Sequence, residues 1–314
     1  MNNHGTSMKP ENRLGVVSAP AKVNRRLSVL GKRPDGYHEL ELEFFPVTLA
    51  DLILFESGVA ENEVRFYQRN LPEIHPNFFR ADGENAAFPD PGTLMIKPDI
   101  PVKNTVAAAL DKMTRLAENP EPLRVSVIKN IPDGAGLGGG SSDAAAVLLF
   151  LNDYFSLNLD AERLESIALE IGSDVPFFLK CEPGLYGGRG EKKLIALPCP
   201  DREIIILKPG FGVQTGEAFR ALPPDRRARL ANVSGDFFSM PAEVNDFWHE
   251  AHPGMDRLKA LNRSLEKHGA ENFYMSGSGS VLYFPAENFD TKSFQKENPE
   301  TTLYQTKFKL SKGK

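Results

Sequence analysis

Between Gly134 and Gly140 the chain sets five glycines in seven positions, within PDGAGLGGGSS (Pro132–Ser142). So dense a run has few Cβ atoms to keep a ligand away, and its backbone N–H groups can wrap an anion. The flanks narrow the fold. In LRVSVIK just before it, Leu123, Val125 and Val127 alternate with polar neighbours, as in a half-buried strand. In SSDAAAVLLFLNDYF just after it, Ala and Leu dominate and nearly every face is apolar, which predicts a helix deep in the core. The helix N-terminus adds partial positive charge, and the Ser141 and Ser142 hydroxyls add donors or a magnesium ligand. The competing reading is a flexible linker or a plain βα turn, but a linker does not need an apolar helix directly behind it. Gly140-Ser141-Ser142 stands where a P-loop carries GK[ST]. The early acidic ribose ligand of dinucleotide folds and the HRD-like and DFG-like sequences of protein kinases are also missing.

With 314 residues, 41% of them hydrophobic, the chain can bury cores for about two domains. Its 37 Lys plus Arg against 42 Asp plus Glu give a net charge of −5, which argues against nucleic acid or an anionic membrane as partner. The longest purely apolar run, Ala144 to Leu151, is far short of the roughly 20 residues that span a bilayer. The polar start MNNHGTSMKPENR has no signal-peptide core, and Cys181 and Cys199 have neither CxxC nor zinc spacing. A cytoplasmic protein, monomer or homodimer, is expected.

Leu14 to Leu30, the turn GKRPDGYHE and the alternating LELEFFPVTLADLILF predict an antiparallel β start. Between about Glu61 and Pro101, six prolines and scattered charge without a period predict a long insertion or loop. Asn104 is a candidate N-cap for a helix that puts Val106, Leu110, Met113 and Leu116 on one face. Asp160 opens a second helix, AERLESIALEI, with Leu159 and Leu164 as a hydrophobic staple and Gly172 as its stop. SDVPFFL then reads as a loop, EIIILK (203–208) and Val281 to Phe284 as strands, and the tail LYQTKFKLSKGK as an edge strand. A lobe boundary is expected near Pro183 to Gly190.

Four further clusters carry possible chemistry. Lys22, in PAKVN (20–24), is either partly desolvated and able to stabilise phosphoryl charge, or a snorkelling surface lysine. Tyr37 and His38, past the turn, either stack on a base and bond its edge or simply pack the turn. Asp174 either orients a hydroxyl or caps the next turn. SGSGS (276–280) suits close approach of phosphate or backbone. HEAH (249–252) is one residue short of the zinc motif HExxH and reads as a solvated helix face, with Trp248 packing locally.

In order, PAKxN, RPDGYHEL, GAGLGGGSSDAA, G-x-DVPFFL, GRGE and SGSGS, spread from about Ser18 to Phe284, resemble the GHMP family of small-molecule kinases. The resemblance implies an α+β, two-lobed GHMP-kinase-type fold with mixed and antiparallel sheets and helices, and an active site in the cleft between lobes. Residues 1–185 would form the nucleotide-binding lobe, and 186–314 the lobe completing the substrate site. It implies ATP and Mg²⁺ as cofactors. It also implies a cytidine diphosphate derivative of methylerythritol as small-molecule substrate, phosphorylated on its 2-hydroxyl in non-mevalonate isoprenoid biosynthesis. A family member acting on mevalonate, homoserine or a sugar, or a silent nucleotide-binding module, are the alternatives.

Carried over by motif, Lys22 and Asp174 would be the catalytic pair, with Asn24 lining the substrate side. Pro132, Asp133, Gly134, Ala135, Gly136, Leu137, Gly138, Gly139, Gly140, Ser141 and Ser142 would wrap the phosphates, with Ser142 near Mg²⁺ and Asn104 near the adenine. Tyr37, His38 and Phe219 would form the cytidine pocket, with Thr215 beside them. Three departures from the family stand out: Arg25-Arg26 in place of apolar residues, Ser173 in place of alanine, and the long 61–101 stretch. The arginines would alter packing or reach a diphosphate.

Overall fold

The computed structural model describes residues 12–69, 94–97, 104–223, 237–239 and 244–309. Strands β1 (Arg13–Lys32) and β2 (His38–Glu56) form a long antiparallel ribbon, the expected β start. Its register shifts between Pro20 and Lys22 and again between Asn24 and Leu27. Such irregularities re-aim side chains. Between them Lys22 and Asn24, two residues apart in extended backbone, share one face.

One edge of β2 carries β1. The other carries β5 (Arg124–Lys129) near its C-terminal end and β6 (Gly184–Gly187) near its N-terminal end. β3 (Glu63–Arg69) pairs parallel with β5, β4 (Leu94–Ile96) pairs with β3, and β7 (Lys192–Ala196) pairs with β6, which makes a seven-stranded sheet. Within the 61–101 stretch, expected as a long insertion or loop, the described residues form the strands β3 and β4. Val64 and Phe66 alternate over too few residues to stand out from sequence, and pairing with β5 supplies the missing stability. The prolines of that stretch lie outside the described residues.

Four helices pack on this sheet: α1 (Thr105–Leu116), α2 (Gly139–Tyr154), α3 (Ala161–Ile171) and α4 (Val175–Lys180). The Asn104 side chain caps α1 by accepting the Ala107 N–H at 2.9 Å, and Asp160 caps α3 from the Arg163 N–H at 2.8 Å. Val106, Leu110 and Met113 are buried as expected, whereas Leu116 in the last turn is 41% exposed. α2 is buried along Ala144, Ala145, Val147, Leu148 and Leu151. α4 corrects the expected loop at SDVPFFL. Pro176 sits in the first turn, where a missing N–H costs nothing, and the apolar side chains Val175, Phe177 and Phe178 bury the helix.

The second sheet is antiparallel, in the order β11 (Thr302–Lys307), β8 (Glu203–Lys208), β10 (Leu282–Pro285) and β9 (Tyr274–Met275). α5 (Thr215–Ala221), α6 (Met255–Lys267) and α7 (Thr291–Glu297) complete this half. The strands of the first sheet end at Ala196 and those of the second begin at Glu203, with residue 185 inside β6. A core cluster joins the lobes. Ala21, Val23 and Phe45 of the ribbon meet Ile204, Ile206, Val281 and Tyr283, and the glycine stretch contributes Ala135 and Leu137. No helix among the described residues is long and apolar enough to cross a membrane.

Candidate active site

The glycine stretch alternates two kinds of residue. Gly134, Gly136 and Gly138 have φ of 60°, 70° and 73°, a left-handed backbone that residues with a Cβ rarely adopt. Between them Ala135 and Leu137 are buried in the inter-lobe core. Two apolar anchors thus hold three turns against the protein, and α2 begins at Gly139 with no side chain capping its first amides. Thr105 Oγ1 donates to the Gly140 carbonyl at 2.7 Å and ties the far end to α1.

Lys22 reaches the middle of this loop. Its Nζ donates to the Gly136 carbonyl at 2.8 Å and to Asn24 Oδ1 at 2.6 Å, and lies 3.8 Å from Asp174 Oδ2. Lys22 is 3% exposed, and burial pulls its pKa below 10.5 even though Asp174 acts in the opposite direction. The desolvated alternative of the sequence reading is therefore the one realised. Asp174 precedes α4 but makes no side-chain capping bond, so its carboxylate faces the lysine.

The SGSGS turn closes over both. Ser276 Oγ donates to the Gly136 carbonyl at 3.0 Å, and the Gly277 N–H donates to Asn24 Oδ1 at 3.1 Å. A Cβ on Gly136 would sit 2.5 Å from the Ser276 carbonyl oxygen, so the two turns touch through backbone alone. Beside them is a cavity of about 390 Å³ lined by Lys22, Asn24, Tyr37, His38, Gly136, Asp174, Thr215 and Phe219. Residues spread over nearly 200 positions of sequence converge there. The His38 and Phe219 rings stack at 4.4 Å with planes 13° apart. Burial, with Lys32 nearby, lowers the His38 pKa below 6.5, so its neutral ring offers one donor and one acceptor. Thr215 Oγ1 lies 3.1 Å from Ser278 Oγ.

Residues 104–182 match the family model described as the GHMP kinases N terminal domain. The chain is 34% identical over 279 residues to the 4-diphosphocytidyl-2-C-methyl-D-erythritol kinase of Porphyromonas gingivalis, covering 85% of this chain and 90% of that one. It is 35% identical over 280 residues to the protein of the same name from Bacillus subtilis, covering 85% and 86%. The chain belongs to the GHMP kinase family. A crystal structure of 4-(cytidine 5'-diphospho)-2C-methyl-D-erythritol kinase superposes with a TM-score of 0.67 at 27% identity, over 95% of this chain and all of that one. A homoserine kinase from Cytophaga hutchinsonii, at 18% identity and a TM-score of 0.56, shares the fold.

This GHMP kinase uses ATP, and other expected positions stand as follows. Asn104 stands at the N-terminus of α1, outside the substrate cavity, where its side-chain Oδ1 caps the helix. Ser142 Oγ is buried with no hydrogen-bond partner, while Ser141 is half-buried one residue closer to the loop. Arg25 and Arg26 turn away from the cavity to form ion pairs, Arg25 with Glu43 at 2.5 Å and Arg26 with Glu41 at 3.2 Å. Arg25 also stacks on Phe45 and Phe237, so of the two expectations packing is the one observed.

Sequence reasoning missed Arg189 as a site residue. It lies at the tip of the β6–β7 hairpin in GRGE, with its guanidinium 3.7 Å from the Tyr37 ring centroid and bonded to Ser173 Oγ at 2.8 and 3.0 Å. The signal was an arginine between turn glycines, and the Ser173 departure is its partner. The HEAH segment corrects the expected solvated helix face. It forms turns, and His252 is buried, with Nε2–H donating to the Ser278 carbonyl at 2.9 Å and Nδ1 accepting the Gly254 N–H at 3.2 Å. Trp248 packs on Phe273 as expected.

Proposed function

We propose that this GHMP kinase transfers the γ-phosphoryl group of ATP to the 2-hydroxyl of 4-diphosphocytidyl-2-C-methyl-D-erythritol, a step of non-mevalonate isoprenoid biosynthesis in the cytoplasm. The observation that carries this reading is one cavity holding both a buried Lys22–Asp174 pair against the glycine loop and a stacked His38–Phe219 pair with Tyr37 nearby. The first suits phosphoryl transfer. The second suits a nucleobase, which mevalonate and homoserine lack.

Phosphoryl transfer asks mainly for alignment and charge neutralisation. The amides of the loop and of the first turn of α2 hold the phosphates. Asp174 accepts a hydrogen bond from the 2-hydroxyl and aims its oxygen at the γ-phosphorus. The new O–P bond forms as the bond to the β-phosphate oxygen breaks, and the hydroxyl proton leaves through Asp174 as ADP departs. Lys22, fixed by Asn24 and the Gly136 carbonyl, sets a positive charge where the loop meets the acceptor. Arg189 adds a second positive group on the substrate side. The unpartnered Ser142 hydroxyl in the first turn of α2 is the group that would lie beside Mg²⁺, which when bound would offset phosphate charge.

A coupled ADP-release assay with Mg·ATP tests the reading, run with the cytidine substrate, mevalonate and homoserine beside Asp174→Ala. Turnover with the cytidine substrate alone, reduced by about 10²–10⁴ in Asp174→Ala, is expected. Turnover with another acceptor, or ATP binding with no transfer to any of them, overturns it.

A further inference from the structure

The glycine loop is fastened at both ends to one buried ammonium. Lys129, the last residue of β5, stands three residues before Pro132, where the loop begins, and Asp143 lies one turn into α2 behind it. Lys129 Nζ donates to Asp143 Oδ2 at 2.8 Å and to Asp51 Oδ2 on β2. Asp51 Oδ1 in turn accepts the backbone N–H groups of Asn130 at 2.5 Å and Ile131 at 2.8 Å, and Asn130 Nδ2 donates to the Ala50 carbonyl at 2.9 Å. Lys129 is 9% exposed, Asp143 1% and Asp51 not at all. None of the three lines the substrate cavity.

We infer that Asp51, Lys129 and Asp143 form a clasp that closes the base of the glycine loop and holds its amides in the shape that receives the nucleotide phosphates. They are positioning residues, and the inference rests on the reading of that loop as the ATP phosphate site. Three features set the clasp apart from an ordinary core ion pair. Its two attachment points bracket the loop, so a shift of either changes the loop's span. A Cβ on Gly139 would lie 3.3 Å from Lys129 Nζ, so the turn into α2 rests on the ammonium. Asp143 Oδ1 is buried without a partner, so the carboxyl does not serve as a helix cap. Burial, and then the Asp51 charge, push the Asp143 carboxyl well above the usual carboxylate range. Burial opposes the Lys129 ammonium, but Asp143 and Asp51 outweigh it and keep it charged.

The test compares the full chain with Asp143→Ala, which opens the clasp, and Asp143→Asn, which keeps a neutral acceptor facing Lys129. Steady-state kinetics, titration calorimetry with Mg·ATP and melting temperatures are measured for each. For Asp143→Ala the KM and Kd for ATP should rise about tenfold or more while the KM of the alcohol substrate stays within about twofold. Asp143→Asn should recover most of the ATP affinity. Should Asp143→Ala not fold, the triple substitution Asp51→Asn, Lys129→Met and Asp143→Leu removes all three ions at similar volume while keeping an acceptor for the Asn130 and Ile131 amides, and the same rise in ATP KM is expected. A folded variant of either kind with wild-type ATP affinity overturns the inference, whatever its melting temperature, because a purely structural staple moves stability alone. Failure of the unmodified chain to bind Mg·ATP refutes the underlying reading of the loop and the inference with it.

Discussion

Replacing Lys22 by methionine should abolish most turnover while leaving the protein at least as stable, because its bonding partners are already shared. Gly136 O also accepts Ser276 Oγ at 3.0 Å, and Asn24 Oδ1 also accepts the Gly277 N–H at 3.1 Å. Asp174, 32% exposed, can turn to water. Lys22→Met therefore strands no buried acceptor, and its chain fills the space beside Phe44, whose ring centroid lies 5.1 Å from the ammonium. Because Asp174 is part-exposed and desolvation of the ammonium outweighs its attraction, the substitution should be neutral to slightly stabilising, by at most about 1 kcal/mol, and each kcal/mol moves the melting temperature by roughly 2–4 °C in a chain of this order of size. A melting temperature equal to wild type or a few degrees higher is expected at pH 7. The sign with pH follows from the lowered Lys22 pKa. Between that value and 10.5 the unfolded chain binds more protons than the folded one, so wild-type stability from this group rises with pH. The advantage of Lys22→Met is thus full below the folded pKa and shrinks as pH climbs toward 10.5. Turnover should fall by about 10²–10³, the cost of removing one preorganised charge from a transition state. Differential scanning fluorimetry from pH 6 to 10 and the ADP-release assay read both quantities. A melting temperature several degrees lower, or turnover within tenfold of wild type, refutes the argument.

Two other substitutions separate the halves of the site. Phe219→Ala removes the ring stacked on His38 and should raise the KM for the cytidine substrate about tenfold, from the stacking loss of about 0.5–1.5 kcal/mol plus lost apolar contact. The KM for ATP should hold, and an unchanged cytidine-substrate KM counts against the base pocket. Gly136→Ala, at φ 70° and with a Cβ 2.5 Å from the Ser276 carbonyl, should cost about 1–2 kcal/mol in backbone strain alone. Its kcat/KM should drop by more than about tenfold from displacement of the loop, and wild-type kinetics would show that the two turns need not touch.

The parts of this protein legible in its sequence are those whose signals are local. The glycine run, the Asn104 and Asp160 caps and the buried β8 strand each depend on a few adjacent residues, and each forms as expected. The convergence of PAKVN, DVP and GYH was legible through the order of motifs, not through spacing. What stayed hidden depends on partners far away in sequence. Arg189 reads as a turn residue until Ser173 and Tyr37 come beside it. His252 reads as solvated until the Ser278 carbonyl covers it. The α4 helix is six residues long with Pro176 in its first turn, so burial of its phenylalanines rather than propensity makes it helical. Lys129 looked like the polar end of a strand because Asp51, 78 residues earlier, gives no sign of meeting it.

Gly136 and Gly277 face each other so closely that a Cβ on the second would lie 3.1 Å from the Cα of the first. One belongs to the loop entering α2 and the other to the turn before β10, so neither turn is a self-contained part. Transplanting the glycine motif into another scaffold would carry the amides but not the wall that shapes them. Exchanging segments between relatives would similarly succeed only if both turns travelled together. The glycine loop is thus one side of a seam, and its fit reports how well the two halves of the molecule are joined.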